Sequence, residues 1–98
     1  MNTIDARKKG KRLNVTVQGD FNLHTKKMIV SRLNPAIDKL VINLINCERI
    51  DSEGIIFLHR WLQQGNKLQL IEPPAILFEI LEILNLDSTW DFEKIIAN

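Results

Sequence analysis

The sequence predicts an α/β fold, a mixed β-sheet of four to five strands with three to four packed α-helices. Three observations lead there. Ile4 and Ala6 before Gly10, and Leu13, Val15 and Val17 after it, alternate with polar neighbours, the period of strands with one buried face. Leu40-Val41-Ile42-Asn43-Leu44-Ile45 is a nearly continuous apolar run rich in β-branched residues, as expected of a central strand covered on both faces. Finally, Ile76, Leu77, Ile80, Leu81 and Leu84 fall at helical spacing, with Ile83 widening the stripe and Glu79 and Glu82 left for solvent.

The elements follow in order. The first two strands form a hairpin around Gly10, and Gly19-Asp20 ends the second. Thr25 is a plausible cap for a short helix carrying Met28, Ile29 and Leu33, with Leu23 before it, and Pro35 interrupts its periodicity. After the central strand, Asn46-Cys47-Glu48-Arg49 reads as a loop. Asp51-Ser52-Glu53-Gly54 then runs into Ile55, Ile56, Phe57, Leu58, His59, Arg60, Trp61 and Leu62, a polar turn feeding a buried helix at the carboxyl end of the central strand. Asp51 and Ser52 both qualify as its cap, since a short oxygen-bearing side chain there accepts from amides that lack a helical partner. Phe57 and Trp61 lie one turn apart and read as core or interface packing.

Gly65 stops this helix. Leu68, Leu70 and Ile71 form a further strand that Pro73-Pro74 terminates, because proline offers no ladder donor and restricts its predecessor. Asn85-Leu86-Asp87 closes the next helix. Trp90 to Ile96 is a short strand, a helix, or one after the other. Residues 1–98 are expected to form a single domain with one core.

With 45% hydrophobic and 26% charged residues and a formal net charge of +1, the chain has no general electrostatic reason to bind nucleic acid or an anionic membrane. Its basic run, Arg7-Lys8-Lys9-Gly10-Lys11-Arg12, reads as a solvated turn or a contact with an acidic partner. The single Cys47 allows no internal disulfide, and no apolar run reaches the ~18 residues of a membrane-spanning helix, so cytoplasm is the expected compartment.

The catalytic inventory is thin, and an enzyme is not expected. His24 and His59 belong to no cluster of candidate metal ligands, the four scattered glycines build no nucleotide fingerprint, and Cys47 reads as a small apolar filler. No catalytic residue, metal or cofactor is assigned. Ser52 remains, as a helix cap or as a phosphorylation switch. A phosphate there would sit on the positive end of a helix dipole while adding close to two negative charges beside Asp51 and Glu53, enough to repel a docked partner.

The order of elements and four segments together resemble the STAS domain, the module shared by sulphate transporters and bacterial anti-sigma factor antagonists. Val15-Thr16-Val17-Gln18-Gly19-Asp20-Phe21-Asn22 resembles the family's second strand and its Gly-Glu-Leu-Asp turn, and Leu40 to Leu44 its central strand. Ile50-Asp51-Ser52-Glu53-Gly54-Ile55 resembles the signature Ile-Asp-Ser-Ser-Gly-Leu loop, and Pro73 with the helix through Leu86 the C-terminal half. The resemblance implies a STAS-like fold and an anti-sigma factor antagonist-like partner-switching cycle. In it an anti-sigma factor that is also a serine kinase phosphorylates the antagonist, and a phosphatase reverses this. Ser52 would be the phosphoacceptor, with Asp20, Asn22, Asp51, Glu53 and Gly54 at the partner-binding surface. Asn22 and Asn43 stand where many members carry aspartate, and Glu53 where many antagonists have Ser or Thr. The alternative is a cytoplasmic STAS accessory subunit of a lipid-trafficking ABC transporter, with Ser52 as a contact residue.

Overall fold

The computed structural model describes residues 2–97. The mixed α/β architecture is the one the alternation and helical spacing predict. Strands β1 (Thr3–Lys9) and β2 (Arg12–Phe21) form the antiparallel hairpin, with Gly10 at φ +62° in the two-residue turn, a left-handed conformation that glycine adopts without steric cost. Helix α1 (Leu23–Val30), strands β3 (Lys39–Asn43) and β4 (Cys47–Ile50), and helix α2 (Ser52–Gln63) follow. Strand β5 (Lys67–Ile71), helices α3 (Ile76–Ile83) and α4 (Phe92–Ile95) and strand β6 (Ile96–Ala97) complete the chain. The main sheet runs β1-β2-β3-β5-β6, with β3 in the middle as predicted; every pairing after the hairpin is parallel.

The core is the set of alternate positions facing the helices: Leu13, Val15 and Val17 on β2, Leu40 and Ile42 on β3, Leu68 and Leu70 on β5. The prediction that β3 is covered on both faces is corrected here. Its burial alternates, and Lys39, Val41 and Asn43 are only half-buried. The helices pack on one face, which buries every second residue and leaves the other face accessible. Trp61 pins the end of α2 to the sheet by donating from Nε1 to the Lys67 carbonyl at 2.7 Å.

Further expectations change with pairing. Gly19-Asp20 does not end β2. The chain bulges there, at Gly19 φ +95°, and continues to Phe21 by exchanging β3 for β4 as its partner. Hence the segment Cys47–Arg49, expected as loop, is most of β4, and α2 follows β4 rather than the central strand. The cap of α1 is Asn22, whose Oδ1 accepts from the Thr25 amide at 3.2 Å, and Thr25 is instead wholly buried inside the first turn.

Helix α3 buries Leu77 and Leu81, but Ile76 and Ile83 of its predicted stripe are exposed. Past its last residue, Ile83, the chain turns at Asn85, φ +57°, where the Leu86 and Asn85 amides donate back to the Leu81 and Glu82 carbonyls, a two-bond closure of a left-handed terminus. The ambiguous tail is helix followed by strand, after a 3₁₀ turn over Asp87–Thr89.

Candidate functional site

Ser52 sits at the carboxyl ends of β2 and β4, where two helices begin. Asp51 and Ser52 were equal candidates to cap α2 on sequence, and the backbone separates them. Asp51 is extended, and its Oδ1 accepts from the Gly54 amide at 3.2 Å while its carbonyl accepts from Ile55 at 3.1 Å. Ser52 is therefore the first helical residue, exposed, and no hydrogen bond among the described residues engages its Oγ. A hydroxyl at this position lies beside first-turn amides that have no helical carbonyl to bind.

Gly54 explains how the helix comes so close to the sheet. A Cβ on it would meet Phe21 Cδ1 at 2.7 Å, the Phe21 carbonyl oxygen at 2.9 Å and Ile50 Cγ1 at 3.1 Å. Only a residue without a side chain fits between α2 and the end of β2. The same seam is held by the Asp51 amide donating to the Phe21 carbonyl at 3.2 Å, and by the Phe21 ring packing on Phe57 with centroids 6.4 Å apart.

The neighbouring turn into α1 is built alongside. Thr25 Oγ1 donates to the Asp20 carbonyl, and the Asp20 amide donates to Asn2 Oδ1 at 3.0 Å. Asp20, Phe21, Asn22, Arg49 and Asp51 line one shallow cleft of about 260 Å³. The structure thus brings Asp20, Asn22 and Asp51 together, with Ser52 and Glu53 exposed beside Asp51 and Gly54 buried beneath it. Asn22 has its side-chain oxygen committed to the helix cap.

Arg49 is the member that sequence reasoning missed. Read as loop, it carried no signal of direction; as part of β4 it is in register with Asp20 and puts a cation into an acidic cleft. Cys47 is a buried free thiol, its pKa raised by burial, with Sγ donating to the Arg49 carbonyl at 3.2 Å. His59 is half-buried on α2, where its Nδ1 accepts from Trp90 Nε1 at 3.2 Å; His24 is exposed on α1. Among the described residues no group of three or more His, Cys, Asp or Glu is placed to hold a metal ion, and no helix is long and apolar enough to cross a membrane.

Comparison with known proteins agrees with this architecture. The family model described as "Mlab, STAS domain" matches residues 4–96. No curated protein matches. Among solved structures, a putative anti-sigma factor antagonist from Thermotoga maritima superposes with a TM-score of 0.71 at 18% identity, over 97% of this chain and 86% of the other. An anti-sigma factor antagonist from Mycobacterium paratuberculosis gives 0.69 at 16%, over 93% and 84%. The Bacillus cell fate determinant SpoIIAA in its phosphorylated form gives 0.69 at 12%, over 98% and 92%. At these identities the structures speak for the fold, and the family match speaks for kinship. Matched over nearly its whole length, the chain belongs to the STAS domain family.

Proposed function

We propose that this protein is an anti-sigma factor antagonist-like regulatory binding module, switched by phosphorylation of Ser52. The observation that carries the reading is the division of labour at the start of α2. Asp51 holds the cap, so the exposed Ser52 hydroxyl is free for chemistry without cost to the helix. In the reaction Ser52 Oγ attacks the γ-phosphorus of ATP, its proton passes to a base on a partner serine kinase, and ADP leaves.

The product adds about two negative charges to a surface that already carries Asp20, Asp51 and Glu53. The helix dipole and first-turn amides accommodate that charge, so the fold persists while an acidic partner surface is repelled. Asp20, Asn22, Asp51 and Glu53 form the surrounding contact surface, with Gly54 buried beneath them, and a phosphatase restores the hydroxyl. A solved relative recorded in a phosphorylated form is consistent with a fold that tolerates this modification.

Incubation with ATP and an extract of the producing cell, followed by mass spectrometry, is expected to place phosphate on Ser52. Lack of that phosphate across growth conditions would count against the switch. A second reading is an accessory subunit of a lipid-trafficking ABC transporter, with Ser52 as an unmodified contact. The matched description, which names Mlab rather than an antagonist, favours it, as does Glu53, whose fixed charge beside Ser52 reduces the contrast between phosphorylation states. Affinity purification that recovers an ATPase subunit rather than a kinase separates the two.

A further inference from the structure

The sheet face not covered by helices has an uneven charge distribution. Alternation and register place Arg7, Lys9, Arg12, Lys39 and Lys67 on it against the single carboxylate Asp5, a formal +4 on a chain whose total is +1. Four of these cations form one row at the amino ends of the parallel strands: Lys9 is paired with Arg12, Arg12 with Lys39 and Lys39 with Lys67. Asp5 is taken by Arg7 at 3.7 Å, and the only other ion pair among the described residues is Lys94 with Asp91. Asp38, next to Lys39, pairs with none of the row. Arg12 Nε is shielded from solvent and has no hydrogen-bond partner among the described residues.

Like charges opposed across a sheet repel, and a desolvated N–H without an acceptor is costly, so the row works against the stability of the isolated domain. It ends at a cavity of about 500 Å³ lined by Lys39, Lys67, Leu62, Leu68, Ile95 and the ion-paired Asp91 and Lys94, beside the part of β5 that β6 leaves unpaired, so among the described residues Lys39 and Lys67 are its free cations. Cations beside aliphatic residues suit a segment that carries carboxylates and one apolar anchor.

We propose that this row is a second docking surface, at the opposite end of the strands from Ser52, for an acidic helical segment of a protein partner. Strands are spaced ~4.8 Å apart and an α-helix rises ~5.4 Å per turn, so a helix laid across the strands offers about one carboxylate per cation. The face carries no aromatic residue on which bases would stack. Its other end, with Thr3, Gln18, Thr16 and Asn43, carries no cation and one carboxylate, Asp5, so the positive charge stops short of the broad surface an anionic bilayer rewards. The surface does not depend on Ser52.

The probe is a short labelled peptide with one glutamate per helical turn and a terminal leucine, titrated into the ¹⁵N-labelled protein and followed by amide shifts and fluorescence anisotropy. Shifts are expected at Lys9, Arg12, Lys39 and Lys67, with affinity falling as salt rises. Lys39→Glu is expected to weaken binding at least about tenfold and at the same time raise Tm, because a carboxylate between Arg12 and Lys67 relieves the repulsion; a purely structural lysine would not show that opposition. Lys67→Glu, at the exposed end of the row, repeats the binding test, and Ser52→Asp leaves binding unchanged. Three results overturn the proposal: shifts confined to the Ser52 end or absent, unchanged affinity in both lysine variants, or binding of phosphatidylglycerol vesicles or a DNA duplex in place of the peptide.

Discussion

Replacing Gly54 with alanine sets two effects of known sign against each other. In an unobstructed helix the change is favourable by up to ~1 kcal/mol, because alanine loses less backbone freedom on folding. Here the added methyl would stand 2.9 Å from the Phe21 carbonyl oxygen and 2.7 Å from its ring, well inside ordinary contact. The carbonyl belongs to β2 and cannot rotate away without breaking its bond to the Asp51 amide, so α2 must move outward by several tenths of an ångström. Overpacking of this kind costs ~1–3 kcal/mol, and it wins, since the propensity gain is smallest in a first turn. For a domain of this size a net loss of ~1–2 kcal/mol lowers Tm by roughly 4–16 °C. Thermal unfolding followed by circular dichroism reads the shift. Gly54→Ala combined with Phe21→Leu is expected to recover only part of the loss, because the ring contact is removed and the carbonyl contact stays. A Gly54→Ala protein melting at or above the parent temperature would refute the reasoning and return Gly54 to the status of an ordinary helix residue.

Other perturbations separate the roles of neighbouring residues. Asp51→Ala is expected to cost ~1 kcal/mol through loss of the cap, whereas Ser52→Ala stays within ~0.5 kcal/mol, measurable by urea unfolding; equal costs would mean that Ser52 shares the cap. Cys47 has its pKa raised above the ordinary 9.0 by burial, so the thiol side of the equilibrium favours the folded state. That contribution is intact below pH 9.0 and is lost as pH rises through the folded value; stability should fall more steeply with alkaline pH than in Cys47→Ala, and iodoacetamide should label Cys47 slowly until denaturant is added. Trp90→Phe removes the donor to His59 Nδ1 and is expected to cost ~1 kcal/mol, with a double-mutant cycle against His59 recovering the coupling between them.

Much of this was legible in the chain. Alternation in β1 and β2 and helical spacing in α2 and α3 named their elements because a half-buried face imposes its period on the sequence wherever it occurs. The motif around Ser52 was legible for the same local reason: caps and first turns are made by residues near in sequence. The errors fall where non-local contact decides. Cys47–Ile50 is a strand because the bulge at Gly19 turns β2 towards it, and no feature within four residues records that partner. The Thr25 error is local instead: its hydroxyl is drawn inward to the Asp20 carbonyl five residues earlier and the capping falls to Asn22, a choice between two short oxygen-bearing side chains that carry the same signal in sequence.

By itself, then, the sequence determined the α/β class, the order of most elements, the central strand and the candidate serine. Only the tertiary structure decided that Gly54 is required by a carbonyl thirty-three positions earlier, that Arg49 joins the acidic cleft, and that four lysine and arginine side chains scattered from residue 9 to 67 share one row. The physical reason is range. Periodicity and capping act over one or two turns of chain, whereas close approach and charge repulsion act between whatever the sheet's register sets side by side.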